Sequence, residues 1–342
     1  DVKEKLNKLY QQKAEGARIR SRVKWYEEGE CSSKYFHSLE KKRSKDKLWT
    51  EILDKNGVMV SGIENILNRQ VEFYEELYSA EATSGETQEM FLSKIKSTIS
   101  EPSKLKLEMD IDTDEVKNAI KCMKANKSPG PDGIISEFYQ HFWEIISPAF
   151  MEVLTCIFKN EELTFSQYQA IITLLYKKGI REDIPNWRPI SLLNNDYKII
   201  TKVFAVRLRE VVPEIIHEDQ RGSIKGRHGY ECIRLLDDVI ENGVDEDSCI
   251  LLLDQEKAFD RVDATWIIRV LERFGFGTKF IKWLNILYKK SNSCILTNGF
   301  MSKYFNVNRG VRQGDSLSAL LYIIQAEPLA EALRDAQNIC GI

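Results

Sequence analysis

The run Ile250-Leu251-Leu252-Leu253 leads without a break into Asp254, and Asp260 and Asp263 follow shortly after. A short unbroken apolar run reads as a strand buried on both faces. That reading puts Asp254 where the strand emerges, on a rigid element with its carboxylate aimed outward. A carboxylate so placed suits a hard, oxygen-seeking cation such as Mg²⁺. Taken alone, the segment reads more simply as a strand whose last Asp caps the next helix.

Periodicity and turn chemistry place the other elements. Residues 1–48 read as helical and end in the basic turn Lys41–Lys47. Asp54-Lys55-Asn56-Gly57 between two apolar stretches predicts a hairpin. Helical spacing covers Ile63 to Tyr78, with Ser61 as a candidate cap. Residues 79–105 are polar and read as loop with one short helix, so the main boundary falls near 100–110. Thr113 opens a helix through Met123, Pro129–Gly133 is a turn, and Phe138–Glu161 is a long helix interrupted by Pro148. Ala170–Tyr176 is a strand, Tyr197–Val212 a helix stopped by Pro213, and Gly229–Glu241 another helix. Helices near 264–274 and 278–290 follow, then a hairpin about Asn298-Gly299 and a helix over Leu317–Gln337 kinked at Pro328. Helices and short strands mix without a βαβ rhythm, which is an α+β chain.

Net charge is only −3 over 342 residues, yet residues 1–48 carry 14 Lys/Arg against 8 Asp/Glu. A basic arm ahead of an acidic body is a partner-binding asymmetry. Arg18, Arg20, Arg22 and Lys24 precede Trp25, and Tyr35 and Phe36 follow. Cations interleaved with aromatics suit a flexible RNA strand through phosphate contact and stacking, and equally suit an amphipathic helix with buried aromatics. Seven Cys, scattered singly, argue against disulfides and zinc sites, against a disulfide-linked partner, and for an intracellular, reducing compartment, nucleus and cytoplasm. Four dispersed His build no metal cluster. No apolar run approaches a membrane span in length, so no membrane partner is expected.

Four further segments stand in fixed order around Asp254: Ser128–Ile134 (SPGPDGI), Asn186–Leu193 (NWRPISLL), Asp219–Arg227 (DQRGSIKGR) and Arg309–Ser318 (RGVRQGDSLS). With Asp254 they resemble the reverse transcriptases of non-LTR (LINE-type) retrotransposons. The stretch from Ala17 to His37 is similar to the linker ahead of the polymerase in that family, so the resemblance covers most of the chain. It implies a right-hand polymerase: a mainly helical N-terminal extension over 1–105, then an incomplete reverse transcriptase domain over 106–342. Fingers would run over about 106–235 and a partial palm over about 236–342. The implied reaction is transfer of dNTPs onto a primer 3′-hydroxyl along an RNA template, with two Mg²⁺ ions at the reacting oxygens.

The resemblance also implies roles. Asp254 would be the catalytic metal ligand, with the Gln255 backbone carbonyl beside it. Phe259 would be the gate against a ribose 2′-hydroxyl; its composition alone reads as core. Lys177, Lys178 and Arg188 would hold the triphosphate, where a forked guanidinium and point-charge ammoniums suit phosphate. Lys177 and Lys178 read equally as a solvated loop, and Arg188, between Trp187 and Pro189, should have a charge partner. Gln313 and Gly314 would pack against the incoming nucleotide and template base, and Arg309 and Arg312 would contact nucleic-acid backbone. Asp260 reads as a local cap or salt bridge. Ser316, Ala319 and Ser223 depart from the family pattern.

The family's palm carries a second acidic motif, an aromatic-Ala-Asp-Asp turn, and no Asp-Asp pair follows Asp254 here. Asp237-Asp238 lies earlier, within a helical pattern. Both ends look cut, and the chain alone is expected to be inactive. The alternatives are a non-catalytic RNA- or template-primer-binding remnant and a polymerase like the group II intron maturases.

Overall fold

The computed structural model describes residues 48–241 and 251–336, with Lys8 and Gln12 ahead of them. The basic arm with Arg18, Arg20, Arg22, Lys24, Tyr35 and Phe36 lies outside the described residues. Two compact units emerge. Among the described residues, one takes in 48–70, 174–188 and 296–302; the other takes in 71–173, 189–241, 251–295 and 303–336. Both are discontinuous in sequence.

The first unit is built on two hairpins. Strands β1 (Glu51–Leu53) and β2 (Met59–Ser61) pair antiparallel with Ile52 opposite Val60. The Asp54 carboxylate closes the turn by accepting from the Asn56 and Val58 amides, both at 2.8 Å, and Gly57 takes φ +78°. Helix α1 (Ile63–Leu77) follows Gly62; Ser61 offers its carbonyl to Asn65 rather than capping with its hydroxyl. At the second turn Asn298 and Gly299 both have positive φ, as a two-residue hairpin requires. The Asn298 side chain then brackets Trp49, accepting from its amide and donating to its carbonyl. Trp49 packs on Trp187, and Trp187 on Tyr176, with centroids 4.4 and 5.4 Å apart.

The second unit holds the main core. Its elements in chain order are α2 (Gly85–Leu92), α3 (Glu101–Glu108), α4 (Thr113–Lys121), α5 (Ser136–Asn160) and α6 (Phe165–Tyr168). Strands β3 (Gln169–Tyr176) and β4 (Trp187–Leu193) come next, then α7 (Asn195–Ile215) and α8 (Tyr230–Glu241). The chain continues through α9 (Ala264–Arg273), α10 (Thr278–Tyr288), β5 (Asn292–Thr297), β6 (Phe300–Met301), which lies in the first unit, β7 (Phe305–Asn306) and α11 (Ser318–Arg334). Strands order as β4-β3-β5-β6, with β7 also paired to β5. Helix α7 is the hub: Tyr197, Ile199, Ile200, Val203, Phe204, Leu208, Val211 and Val212 are all buried, so its apolar face is wider than a single stripe.

Several expectations change. The polar stretch 79–105 contains α2 and begins α3, each with a serine N-cap, Ser84 and Ser100. Helix α5 runs unbroken through Pro148 and α7 passes Pro213 by two residues. Both prolines are exposed, so the carbonyl each leaves unpaired can take water instead. Helix α5 is also long and apolar enough to cross a membrane by length and composition, contrary to the sequence reading; Tyr139, Trp143, Leu154 and Ile157 are buried in the core. The largest change concerns residues 251–255, which form no strand. Leu251, Leu252 and Leu253 are 75, 85 and 76% exposed. A strand needs a hydrogen-bonded neighbour, and no described strand pairs with this run.

Candidate nucleotide and nucleic-acid site

After the open run 251–256 the chain tightens into turns from Glu256 to Arg261, with the Asp260 and Arg261 amides both donating to the Lys257 carbonyl. Asp263 then caps α9, accepting from the Trp266 amide at 2.8 Å. Asp254 itself is exposed. Phe259 lies flat on Tyr322 of α11, centroids 5.0 Å apart and rings inclined by 13°. The Tyr322 hydroxyl donates to the Gln255 side chain at 2.7 Å. Burial, and then the Asp254 carboxylate, push the Tyr322 phenol above its ordinary range. Asp254, Gln255 and Phe259 thus gather about one tyrosine that the sequence reading did not single out.

The segment 309–315 packs directly on this turn. The Gly310 amide donates to Val262 at 2.6 Å and the Val311 amide to Phe259 at 2.8 Å. Gly310 has φ +93°, and a Cβ there would lie 2.9 Å from the Asp260 carbonyl, so no other residue fits without displacement. Gln313 gives its carbonyl to the Ser191 amide of β4, and Gly314 is exposed. Asp260 is 2% exposed. Rather than capping locally, its carboxylate accepts from Tyr78 and from Gln313.

Arg309 and Arg312, expected on the nucleic-acid backbone, are buried and bonded within the protein. Arg309 donates to the Leu77 carbonyl at 2.7 Å and pairs with Glu81 at 2.9 Å. Arg312 donates to the Tyr168 carbonyl and the Ser291 hydroxyl and lies over the Tyr197 ring. Buried backbone carbonyls need donors, and these guanidiniums supply them.

The remaining motifs brace the same unit. The 128–134 turn rests on the start of α7: a Cβ on Gly130 would meet the Asn194 amide at 2.3 Å, and Asn194 accepts from the Asp132 amide. Asn195 donates to the Ile134 carbonyl at 2.6 Å. In the 219–227 loop, Arg227 gathers the Ile216, His217 and Gln220 carbonyls, while Asp219 accepts from Arg334.

In the first unit Lys177, Lys178 and Arg188 are all exposed. The Lys177 amide donates to the Asn186 carbonyl at 3.0 Å, which brings the end of β3 beside the start of β4. Arg188 has no ion pair among the described residues, contrary to expectation: it points from β4 into solvent, where its charge needs no partner.

As to Mg²⁺, Asp254 is an exposed carboxylate, while Asp260 and Asp263 are committed to Tyr78, Gln313 and the α9 amides. No group of three or more His, Cys, Asp and Glu able to hold a metal is found among the described residues. Mg²⁺ prefers near-octahedral oxygen sites, which a single exposed carboxylate does not complete.

Residues 176–341 match the family model described as Reverse transcriptase (RNA-dependent DNA polymerase). This part of the chain is a reverse transcriptase domain. Across 97% of its length the chain is 37% identical to the Transposon TX1 uncharacterized 149 kDa protein of Xenopus laevis, covering 26% of that protein. It is 28% identical over 49% of its length to the Pol polyprotein from retrotransposable element R2 of Popillia japonica, covering 24% of it. With the R1 polyprotein of Bradysia coprophila the identity is 26% over 66% of the chain and 22% of the relative. The chain as a whole is similar to the reverse transcriptases of non-LTR, LINE-type retrotransposons, and spans about a quarter of the length of these relatives.

Proposed function

We propose that the chain forms the fingers and part of the palm of an RNA-directed DNA polymerase that extends a primer with dNTPs along an RNA template. The observation that carries this is the packing of Phe259–Val262 against Gly310–Gln313, with Asp254 and Gln255 beside it. It joins two sequence-distant motifs into one surface. Asp254 and the Gln255 carbonyl hold part of the Mg²⁺ oxygen set, and the bound ion would neutralise charge on the nucleotide phosphates. Phe259 fills the space beside the sugar. Lys177, Lys178 and Arg188 bind triphosphate, Gln313 and Gly314 face the nucleotide and template base, and the arm up to residue 48 binds RNA.

Primer extension on poly(rA)/oligo(dT) with Mg²⁺, using the full-length protein, tests the reading. Asp254→Asn should abolish synthesis and leave RNA affinity nearly intact, because an amide of the same shape is a poor Mg²⁺ ligand. RNA binding should weaken with salt at a log–log slope of about −3 if about four cations touch phosphates. Synthesis that survives Asp254→Asn overturns the assignment. Binding without synthesis in the unsubstituted protein favours a non-catalytic template-primer-binding role.

A further inference from the structure

We infer that Asp260 is a positioning residue that fixes which end of the Gln313 amide faces the nucleotide. This rests on the polymerase reading and deepens it. The Asp260 carboxylate is 2% exposed, and the Gln313 side-chain nitrogen lies 3.1 Å from each of its oxygens. The Tyr78 hydroxyl donates to Oδ1, also at 3.1 Å. Both carboxylate oxygens lie within bonding distance of the Gln313 nitrogen, and a glutamine amide donates at its nitrogen and accepts at its oxygen. Asp260 therefore draws the NH₂ end inward and turns Oε1 the other way. The backbone cannot swing to undo this. The Gln313 carbonyl is held by the Ser191 amide at 2.9 Å, and the Gly310 and Val311 amides are held by Val262 and Phe259.

Gln313 is only half-buried, and Gly314 next to it is exposed, so the amide reaches the open surface. The ligand implied for Oε1 is a hydrogen-bond donor on the incoming nucleotide or on the template base paired with it. Tyr78 holds the other side of the carboxylate. Burial, and then the Asp260 charge, push its phenol well above the ordinary tyrosine range, so it remains a donor. The gate turn and the nucleotide-facing loop are thereby set by one buried acid.

The test is a four-member cycle in the full-length polymerase: unsubstituted, Asp260→Asn, Gln313→Glu and the double variant. Asp260→Asn replaces one of the two acceptors facing the Gln313 NH₂ with a second NH₂, so the amide's orientation is no longer fixed from both sides. The expected result is a dTTP KM raised about tenfold with kcat within about threefold. Gln313→Glu alone sets two carboxylates face to face and should do worse. The double variant restores a donor–acceptor match, keeps the pair's total charge and presents an acceptor outward, so KM should return to within about threefold. Thermal melting of the same four proteins reads the contact without activity, and the double variant should recover most of the Tm lost by Gln313→Glu. A polymerase whose KM is unaffected by the pair, or a double variant with no rescue, overturns this inference and leaves the polymerase reading standing. An unsubstituted protein that extends no primer overturns the polymerase reading and the positioning role together, whatever the melting cycle shows.

Discussion

Phe259 and Tyr322 stack face to face at 5.0 Å, although 259 lies in a turn and 322 on α11. The stack fixes the plane of the ring proposed as the sugar gate. One face of Phe259 is covered by tyrosine, which leaves the remainder of a half-buried ring to meet a ligand.

Phe259→Ala should therefore cost about 1–3 kcal/mol, less than a fully buried aromatic, and admit ribonucleotides in the full-length polymerase. Tyr322→Ala should lower stability by a similar amount without removing the ring proposed to exclude the 2′-hydroxyl. Urea unfolding paired with rNTP/dNTP incorporation ratios separates the two. If Phe259→Ala destabilises and leaves the ratio unchanged, Phe259 is ordinary core.

Arg207 should be the costliest single cation to remove. It is 3% exposed and forks onto Glu115, with Nε 2.7 Å from Oε1. Its terminal nitrogens also take the carbonyls of Leu107, in the last turn of α3, and of Met109 and Asp110 just beyond it. Arg207→Met strands those carbonyls and the carboxylate, a loss of about 3–5 kcal/mol. Arg207→Lys should recover little, because an ammonium cannot reproduce the planar fork. A chemical-denaturation midpoint for Arg207→Lys equal to the unsubstituted protein's would refute this.

Much of the fold was legible because its signals are local. Asn298-Gly299 and Asp54–Gly57 each specify backbone geometry within a few residues, whereas the equally local Asp112/Glu115 capping box is a finding of the structure. Ser84 and Ser100 were equally available as caps but were passed over in a stretch judged only by its polarity. What escaped is tertiary. Asp260 finds Tyr78 across 182 residues, and no spacing announces that pair. Arg309 and Arg312 looked like phosphate ligands by type, yet buried carbonyls claim them. The run 251–253 has the composition of a strand but no paired neighbour among the described residues, and pairing, not composition, makes a strand.

Asp315 should make stability fall as pH rises. It is buried, and burial pushes its carboxyl above the ordinary range, partly opposed by the Thr201 hydroxyl, the Ser316 and Leu317 amides and Arg312. Tyr288, Tyr197 and Lys198 also face it. The native state thus holds this proton more tightly than the unfolded chain. Its stabilising contribution is full below the unfolded value of about 4 and is lost as pH rises through the raised folded value. Asp315→Asn keeps the neutral form at every pH. Its stability relative to the unsubstituted protein should therefore improve from about pH 4 to neutrality. A difference in unfolding free energy that is flat across that window would show that Asp315 titrates alike in both states.

Arg188, Lys177 and Lys178 offer the cleanest separation of binding from folding. All three are exposed, and Arg188 has no ion pair among the described residues. Reversing a solvated charge with no partner should move stability by no more than about 0.5 kcal/mol. Arg188→Glu should nevertheless raise the dNTP KM of the full-length polymerase about tenfold or more, because a carboxylate then stands where a guanidinium is proposed to meet the triphosphate. Lys177→Glu and Lys178→Glu should each do less, since a single flexible ammonium contributes a point charge without a bidentate fork. The dTTP concentration dependence of primer extension, read beside the melting temperature, decides it. A KM unchanged by Arg188→Glu would remove Arg188 from the triphosphate site, and a melting temperature that fell with it would return the residue to the role the sequence first suggested, a charge held by a partner within the fold.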